Sequence, residues 1–306
     1  MSFIPMPLVT VILPTHNRAH LLLRSIGSIL SQTFGDLECL VIDDASDDRT
    51  EQLVKHLMEG DRRLHYYRHE IGKYAAGARN TGLALARGKY IAYLDDDDEW
   101  HPAKLEKQIA LLEKLPKEYG CVYCWADFVD EVGQVTRRHR PSLQGDVYSE
   151  TLIDNVIGCT PSLLIRIESS EKIGLWNELL RTEEDNEYII RLCKIYKVDF
   201  VPEVLVKVNN AHAGERVSTP LGKDGIQFAI DAILVRYALF SDRKWTYRKQ
   251  AAALESRLGN LYGRLGNMEA SSAHFVESLR LAPLSIEPYR MMLSLIKWYI
   301  LPNRHR

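Results

Sequence analysis

The chain has 306 residues, 46% of them hydrophobic and 26% charged, with five Trp, fifteen Tyr and seven Phe. That length suits one large α/β domain with an appendage or two modest domains, and the aromatic content excludes a wholly disordered chain. The formal charge of −2 gives no whole-chain case for binding nucleic acid, yet residues 241–306 carry eleven Lys/Arg against five Asp/Glu, a net +6 that leaves −8 on residues 1–240.

Residues 1–7 lack the basic stretch of a signal peptide and read as the lead-in to a first strand. Residues 8–13 form an apolar β run, and a helical pattern follows near 20–32. Next come a strand at 37–42, a helix at 49–58 opened by Asp47-Asp48, and a short strand at 64–68. A small-residue helix at 75–86, a strand at 89–94, a helix at 102–115 with Pro102 in its first turn, and a strand at 121–129 complete the series. Strand–helix alternation predicts right-handed βαβ units, that is, an α/β fold with a mostly parallel central sheet flanked by helices. After residue 222 the pattern is helical throughout, so the expected division is 1–222 and an all-α appendage at 223–306.

No stretch approaches the ~20 apolar residues of a membrane span. The longest candidate, 291–301, contains Lys297, and a cytoplasmic chain is expected. The five cysteines are an odd, sparse set. Cys121 and Cys124 have a C-x-x-C spacing, but on a strand they point to opposite faces, so buried thiols in a reducing compartment are the expectation.

The polar residues fall at strand ends. Thr15-His16-Asn17-Arg18 follows the first strand, Asp43-Asp44 ends the second, and Asp95 to Asp98 end the strand at 89–94. In a parallel sheet these three clusters converge on the carboxyl rim, where ligands bind. Asp95-Asp96-Asp97-Asp98-Glu99 places five carboxylates in succession. Like charges in contact cost roughly 1 kcal/mol per pair in water and more when buried. A divalent cation, Mg²⁺ or Mn²⁺, is the simplest compensation. A solvated acidic loop, or carboxylates favouring the start of the helix at Pro102, is the alternative.

Four strings occur in order: Val9-Thr10-Val11-Ile12-Leu13-Pro14-Thr15-His16-Asn17-Arg18, Leu40-Val41-Ile42-Asp43-Asp44-Ala45-Ser46, Gly77-Ala78-Arg79-Asn80-Thr81-Gly82, and Gly88-Lys89-Tyr90-Ile91-Ala92-Tyr93-Leu94-Asp95-Asp96-Asp97-Asp98. Together they resemble the family 2 glycosyltransferases, which have the GT-A nucleotide-sugar-binding fold, over roughly residues 7–220. The resemblance implies that Pro14, Thr15, His16 and Asn17 line the nucleotide site, with His16 near the base. It implies that Asp44 accepts from the base's imide edge, with Arg79 beside it. The Asp-x-Asp motif would be Asp95-Asp96-Asp97, with Asp96 at the ribose and Asp97 on a Mn²⁺ or Mg²⁺ ion. Thr182-Glu183-Glu184-Asp185-Asn186-Glu187-Tyr188 resembles the family's late Glu-Asp motif and makes Asp185 the general base; helix capping by Asp185 is the alternative. His212 matches a histidine that in many members approaches the metal or the diphosphate, although Asn210 departs from the usual basic residue two positions earlier; a loop histidine is the alternative.

These residues imply a metal-dependent inverting glycosyltransferase. It would move a sugar from a nucleoside diphosphate sugar, UDP-sugar before others, to a hydroxyl of a glycan or lipid-linked acceptor, with no nucleic-acid partner. A sugar-1-phosphate nucleotidyltransferase is one alternative, but residues 14–18 contain no glycine for its phosphate loop. The other is a non-catalytic interaction protein, because residues 258–283 resemble a single tetratricopeptide repeat. Arg243, Lys244, Arg248 and Lys249, with Trp298, Tyr299 and Arg304-His305-Arg306, give the basic tail the chemistry for peripheral contact at the cytoplasmic face of a membrane; solvated helix faces are the plainer reading.

Overall fold

A computed structural model of the chain describes residues 6–209 and 223–300. In chain order the elements are β1 (Val9–Thr15), α1 (Ala19–Leu30), β2 (Leu37–Asp43), α2 (Thr50–Gly60), β3 (Leu64–Arg68), α3 (Tyr74–Leu85), β4 (Tyr90–Tyr93), β5 (Glu99–Trp100), α4 (Lys104–Leu112), β6 (Tyr119–Val129) and β7 (Val135–His139). They continue with α5 (Tyr148–Thr151), β8 (Leu164–Arg166), α6 (Ile167–Ile173), α7 (Glu184–Ile195), β9 (Lys197–Asn209), α8 (Lys223–Ala238), α9 (Arg248–Arg264), α10 (Met268–Leu281) and α11 (Glu287–Ile300). The chain divides into two compact units, one of residues 1–147, 155–178 and 191–213, the other of 148–154, 179–190 and 214–306.

The first unit is built on a sheet of order β3-β2-β1-β4-β8-β6-β9-β5, with β7 paired to β6. From β3 to β4 every pairing is parallel. Past β4 the sheet is mixed: β8 runs antiparallel to both β4 and β6, while β6 and β9 are parallel. All residues of β1, β2 and β4 are buried, as expected of parallel strands covered on both faces. In α1 the buried set Leu21, Leu22, Ser25, Ile26 and Ile29 repeats at helical spacing and closes one face of the core with Val11, Leu13, Cys39 and Val41. All five cysteines are free thiols, with Cys121 and Cys124 both buried.

Close approach explains one motif glycine. A Cβ on Gly88 would lie 2.5 Å from the Thr10 backbone nitrogen, so the turn entering β4 can press against β1 only without a side chain. Its N–H donates to Thr10 Oγ1 at 2.9 Å.

One core member is a base. Lys104 is fully buried, its ammonium 4.0 Å from the Trp100 ring centroid and 3.4 Å from the Leu163 carbonyl. Burial pulls its pKa down to about 8. Between that value and the unfolded lysine's range the unfolded chain binds more protons, so stability rises with pH across this window. Lys104→Met removes the buried charge at similar length and is expected to raise stability by about 1–3 kcal/mol at pH 7. The gain should shrink as pH climbs from 8 to 10, which thermal melts of both chains at stepped pH will show.

The second unit has its own core, formed by Leu152, Ile190, Ile230, Ile233, Phe240, Ala251, Leu254, Leu258 and Leu281 among others. Helices α9 and α10 form the hairpin corresponding to the repeat-like string. Gly266 (φ 85°) makes the turn, and Asn267 caps α10 by accepting from the Ala270 N–H. A Cβ on Gly259 would sit 3.1 Å from the Phe275 ring, so the small residue sets the distance between the two helices. No helix among the described residues is long and apolar enough to cross a membrane.

Candidate functional site

Strand β1 lies between β2 and β4. The chain adds β2 and β3 on one side of β1 and β4 on the other, which makes the carboxyl end of β1 a topological switch point. Register aligns Thr15 with Asp43, and the Leu94 N–H donates to the Ile12 carbonyl at 3.1 Å. The three polar clusters therefore share one rim.

Beyond the strands the loops are laced together. The Asp44 N–H donates to the Thr15 carbonyl (2.8 Å), and His16 Nδ1 donates to the Asp44 carbonyl (2.8 Å). The Asn17 N–H donates to Ser46 Oγ (2.9 Å) and the Asp47 N–H to Asn17 Oδ1 (2.8 Å). Asn17 and Ala45 hold left-handed backbone at φ 55° and 65°, a conformation that costs on the order of 1–2 kcal/mol per non-glycine residue and persists where contacts over-determine it.

Asp44 is buried. Its carboxylate accepts the N–H groups of Lys73 and Tyr74, each at 2.7 Å, and lies 2.7 Å from His69 Nδ1. His69 Nε2 is in turn 2.8 Å from Thr81 Oγ1. Arg79 donates to Asp95 Oδ1 at 3.0 Å, and its guanidinium carbon lies 4.7 Å from the Trp176 ring centroid. Trp176 is held by its indole N–H to Tyr93 Oη (3.1 Å) and by reciprocal bonds with Asn80.

The acidic run is compensated by cations of the protein itself. Arg18 Nη1 donates to both Asp96 Oδ1 (2.9 Å) and Asp97 Oδ2 (3.1 Å), and Thr15 Oγ1 donates to Asp96 Oδ2 (2.8 Å). Arg24 donates to the Asp97 carbonyl and pairs with Glu99, which Lys207 also meets at 3.1 Å. Asn209 donates its side-chain N–H to the Asp97 carbonyl (2.7 Å) and its backbone N–H to Asp98 Oδ1 (2.9 Å). Burial pushes Asp96 up to about 6, with Arg18 opposing the shift. Of these partners, Arg18 stood in the first motif with no role assigned. Arg24, His69 and Asn209 are single polar residues with no periodic signature.

Among the described residues no three His, Cys, Asp or Glu side chains converge as an all-protein metal cage. The rim instead presents hard carboxylate oxygens at Asp95, Asp96 and Asp97. Mg²⁺ and Mn²⁺ commonly bind through one or two carboxylates and complete their shell with phosphate and water. The donor set fits such an ion. His212 lies outside the described residues.

Asp185 belongs to the second unit. It is half-buried in the first turn of α7, where its Oδ1 accepts the Asn186 N–H at 2.8 Å. The preceding Glu183 is left-handed (φ 58°), and its carbonyl accepts the Glu187 N–H at 3.1 Å, so the helix starts from Glu183.

One family model, two relatives and one solved structure are similar to the chain. The model of the family described as Glycosyl transferase family 2 matches residues 10–174, a span that ends before Asp185. The chain is 32% identical over 223 residues, 71% of its own length and 68% of the relative's, to an uncharacterized glycosyltransferase of Rickettsia prowazekii. It is 38% identical over 159 residues, 52% of its length and 60% of the relative's, to the UDP-Glc:alpha-D-GlcNAc-diphosphoundecaprenol beta-1,3-glucosyltransferase WfgD of Escherichia coli. Among solved structures, S. aureus TarS 1–349 in complex with UDP-GlcNAc superposes with a TM-score of 0.62 at 14% identity, covering 89% of this chain and 91% of that one. That likeness is one of fold, and the fold is GT-A.

Proposed function

The chain belongs to glycosyl transferase family 2, and from that premise we propose a metal-dependent, inverting enzyme that moves a sugar from a nucleoside diphosphate donor to a hydroxyl of a glycan or lipid-linked acceptor. The observation that carries this reading is the rim at the ends of β1, β2 and β4, where Asp44, Asp95, Asp96 and Asp97 gather with Arg18 and Arg79. A UDP-sugar is the donor class we favour, supported by the donors named for WfgD and TarS. The lipid-linked acceptor named for WfgD supports that acceptor class.

The roles are those the family resemblance implies, and an acceptor count supports the one given to Asp44. A carboxylate has about four acceptor sites, and Asp44 uses three on Lys73, Tyr74 and His69. One remains for an imide N–H of the base, with Pro14, Thr15, His16 and Asn17 lining that side. Asp96 would accept from the ribose. Arg18 and Arg79 place positive charge beside the donor. Asp97, with His212 as a second ligand, would hold Mn²⁺ or Mg²⁺, and a bound ion neutralises charge developing on the departing nucleoside diphosphate. Asp185 takes the proton of the acceptor hydroxyl as its oxygen bonds to the anomeric carbon, opposite the breaking bond to the diphosphate oxygen. The proton ends on the Asp185 carboxylate and the anomeric configuration inverts.

We take residues 1–222 as the catalytic domain and 223–306 as the helical region, whose basic residues are the candidates for peripheral membrane contact. Three of the candidates named for that contact already have partners: Lys244 pairs with Glu277 at 3.0 Å, Trp298 stacks with Arg264, and Tyr299 donates to the Gly263 carbonyl.

Incubation with UDP-, GDP- and dTDP-sugars, with and without Mn²⁺, tests the proposal. Release of UDP from a UDP-sugar that rises with Mn²⁺ is the expected result. Pyrophosphate release from nucleoside triphosphate and sugar-1-phosphate would replace the reading with a nucleotidyltransferase. Turnover unchanged by a metal chelator would remove the ion from it.

A further inference from the structure

Two residues before the proposed base stands a strained residue with an unusual tether. Glu183 has left-handed backbone, and its carbonyl begins α7. Its carboxylate pairs with Arg236 of α8. Arg236 is 2% exposed, and its other nitrogen donates to the Ile153 carbonyl at 2.6 Å. The same carbonyl accepts from Arg257 of α9 at 2.8 Å, whose second nitrogen holds Asp154 at 2.9 Å. Farther along α7, Ile190 is buried in the core that α8 and α9 supply. The helix carrying Asp185 is thus fastened at its start by a buried arginine and further on by apolar packing, both from residues beyond the family match.

We propose that Arg236 is a positioning residue for the transfer reaction, acting through Glu183 to set the first turn of α7 and with it the Asp185 carboxylate. The inference rests on the reading of Asp185 as general base. A buried guanidinium suits the task, because its fixed fork holds two acceptors in one geometry, here the Glu183 carboxylate and the Ile153 carbonyl. A left-handed non-glycine residue relaxes toward ordinary backbone when its contacts are lost. The first turn of α7 would then change direction. On this account a helix beyond the family match sets the first turn on which the proposed base stands.

The test is a cycle in the full-length chain. Arg236→Met keeps the length of the side chain, and Glu183→Ala removes the tether's acceptor from its more exposed end. Each should lower kcat about 10- to 100-fold, the scale of a small misplacement of a reacting group, and leave donor KM within about twofold. In an Asp185→Asn background, Arg236→Met should add no further loss, because the arginine acts through that carboxylate. An equal further loss in that background, or a change in donor KM with kcat intact, would overturn the proposal. So would full turnover by Glu183→Ala. If Asp185→Asn alone keeps wild-type turnover, the base reading fails first, and that result is seen before the arginine variants are made. Should Arg236→Met melt early, Glu183→Ala and its double variant with Asp185→Asn carry the same test.

Discussion

Asp185→Asn is expected to lower kcat by about 10²–10⁴, the range a positioned general base supplies, while donor affinity stays at the wild-type value. The substitution keeps the side chain's size and its Oδ1, so the bond from the Asn186 N–H survives. Asparagine has no basic oxygen to accept the acceptor's proton. Donor affinity should hold because none of the residues assigned to the donor is altered. Single-turnover transfer alongside donor binding by calorimetry separates the two quantities. Turnover near wild type would end the assignment of Asp185, and loss of donor binding would make it a binding residue.

Asp97→Asn should give the complementary pattern. Losing one electrostatic stabiliser of the leaving group typically costs about 10²–10³ in rate. Because Asp97 is also assigned to hold the ion, donor affinity should fall with it and its dependence on Mn²⁺ should flatten. The fold should remain, since the amide oxygen can still accept from Arg18, and neutralising Asp97 relieves repulsion with Asp96. A melting temperature within a few degrees of wild type, measured with the donor-binding curve at several Mn²⁺ concentrations, checks both halves. An unchanged Mn²⁺ response would move the ion to another carboxylate, with Asp95 the first to examine.

Much of the architecture was legible before any coordinates. The strands at 8–13, 37–42, 64–68 and 89–94 and the helices between them reappear as β1 to β4 with α1 to α3, because buried parallel strands are written as continuous apolar runs. The short β8, only Leu164–Arg166, was not legible. Its three residues show no period, and its place between β4 and β6 depends on pairing with residues more than forty positions away. The same holds for β9, where the run from Lys197 to Asn209 alternates imperfectly because its partner β6 shifts register against it.

The site divides in the same way. The sequence by itself determined the carboxylates and where they stand: Asp44 after β2 and Asp95 to Asp97 after β4, contiguous residues at strand ends whose convergence follows from parallel topology. Which groups answer those charges was decided by the tertiary structure alone. Arg18 reaches Asp96 across 78 positions, Lys207 reaches Glu99 across 108, and Arg236 reaches Glu183 across 53. A motif or a period is a property of neighbours in the chain. A single arginine facing a carboxylate from a distant helix leaves no such mark, because only the folded backbone brings the two within hydrogen-bonding distance.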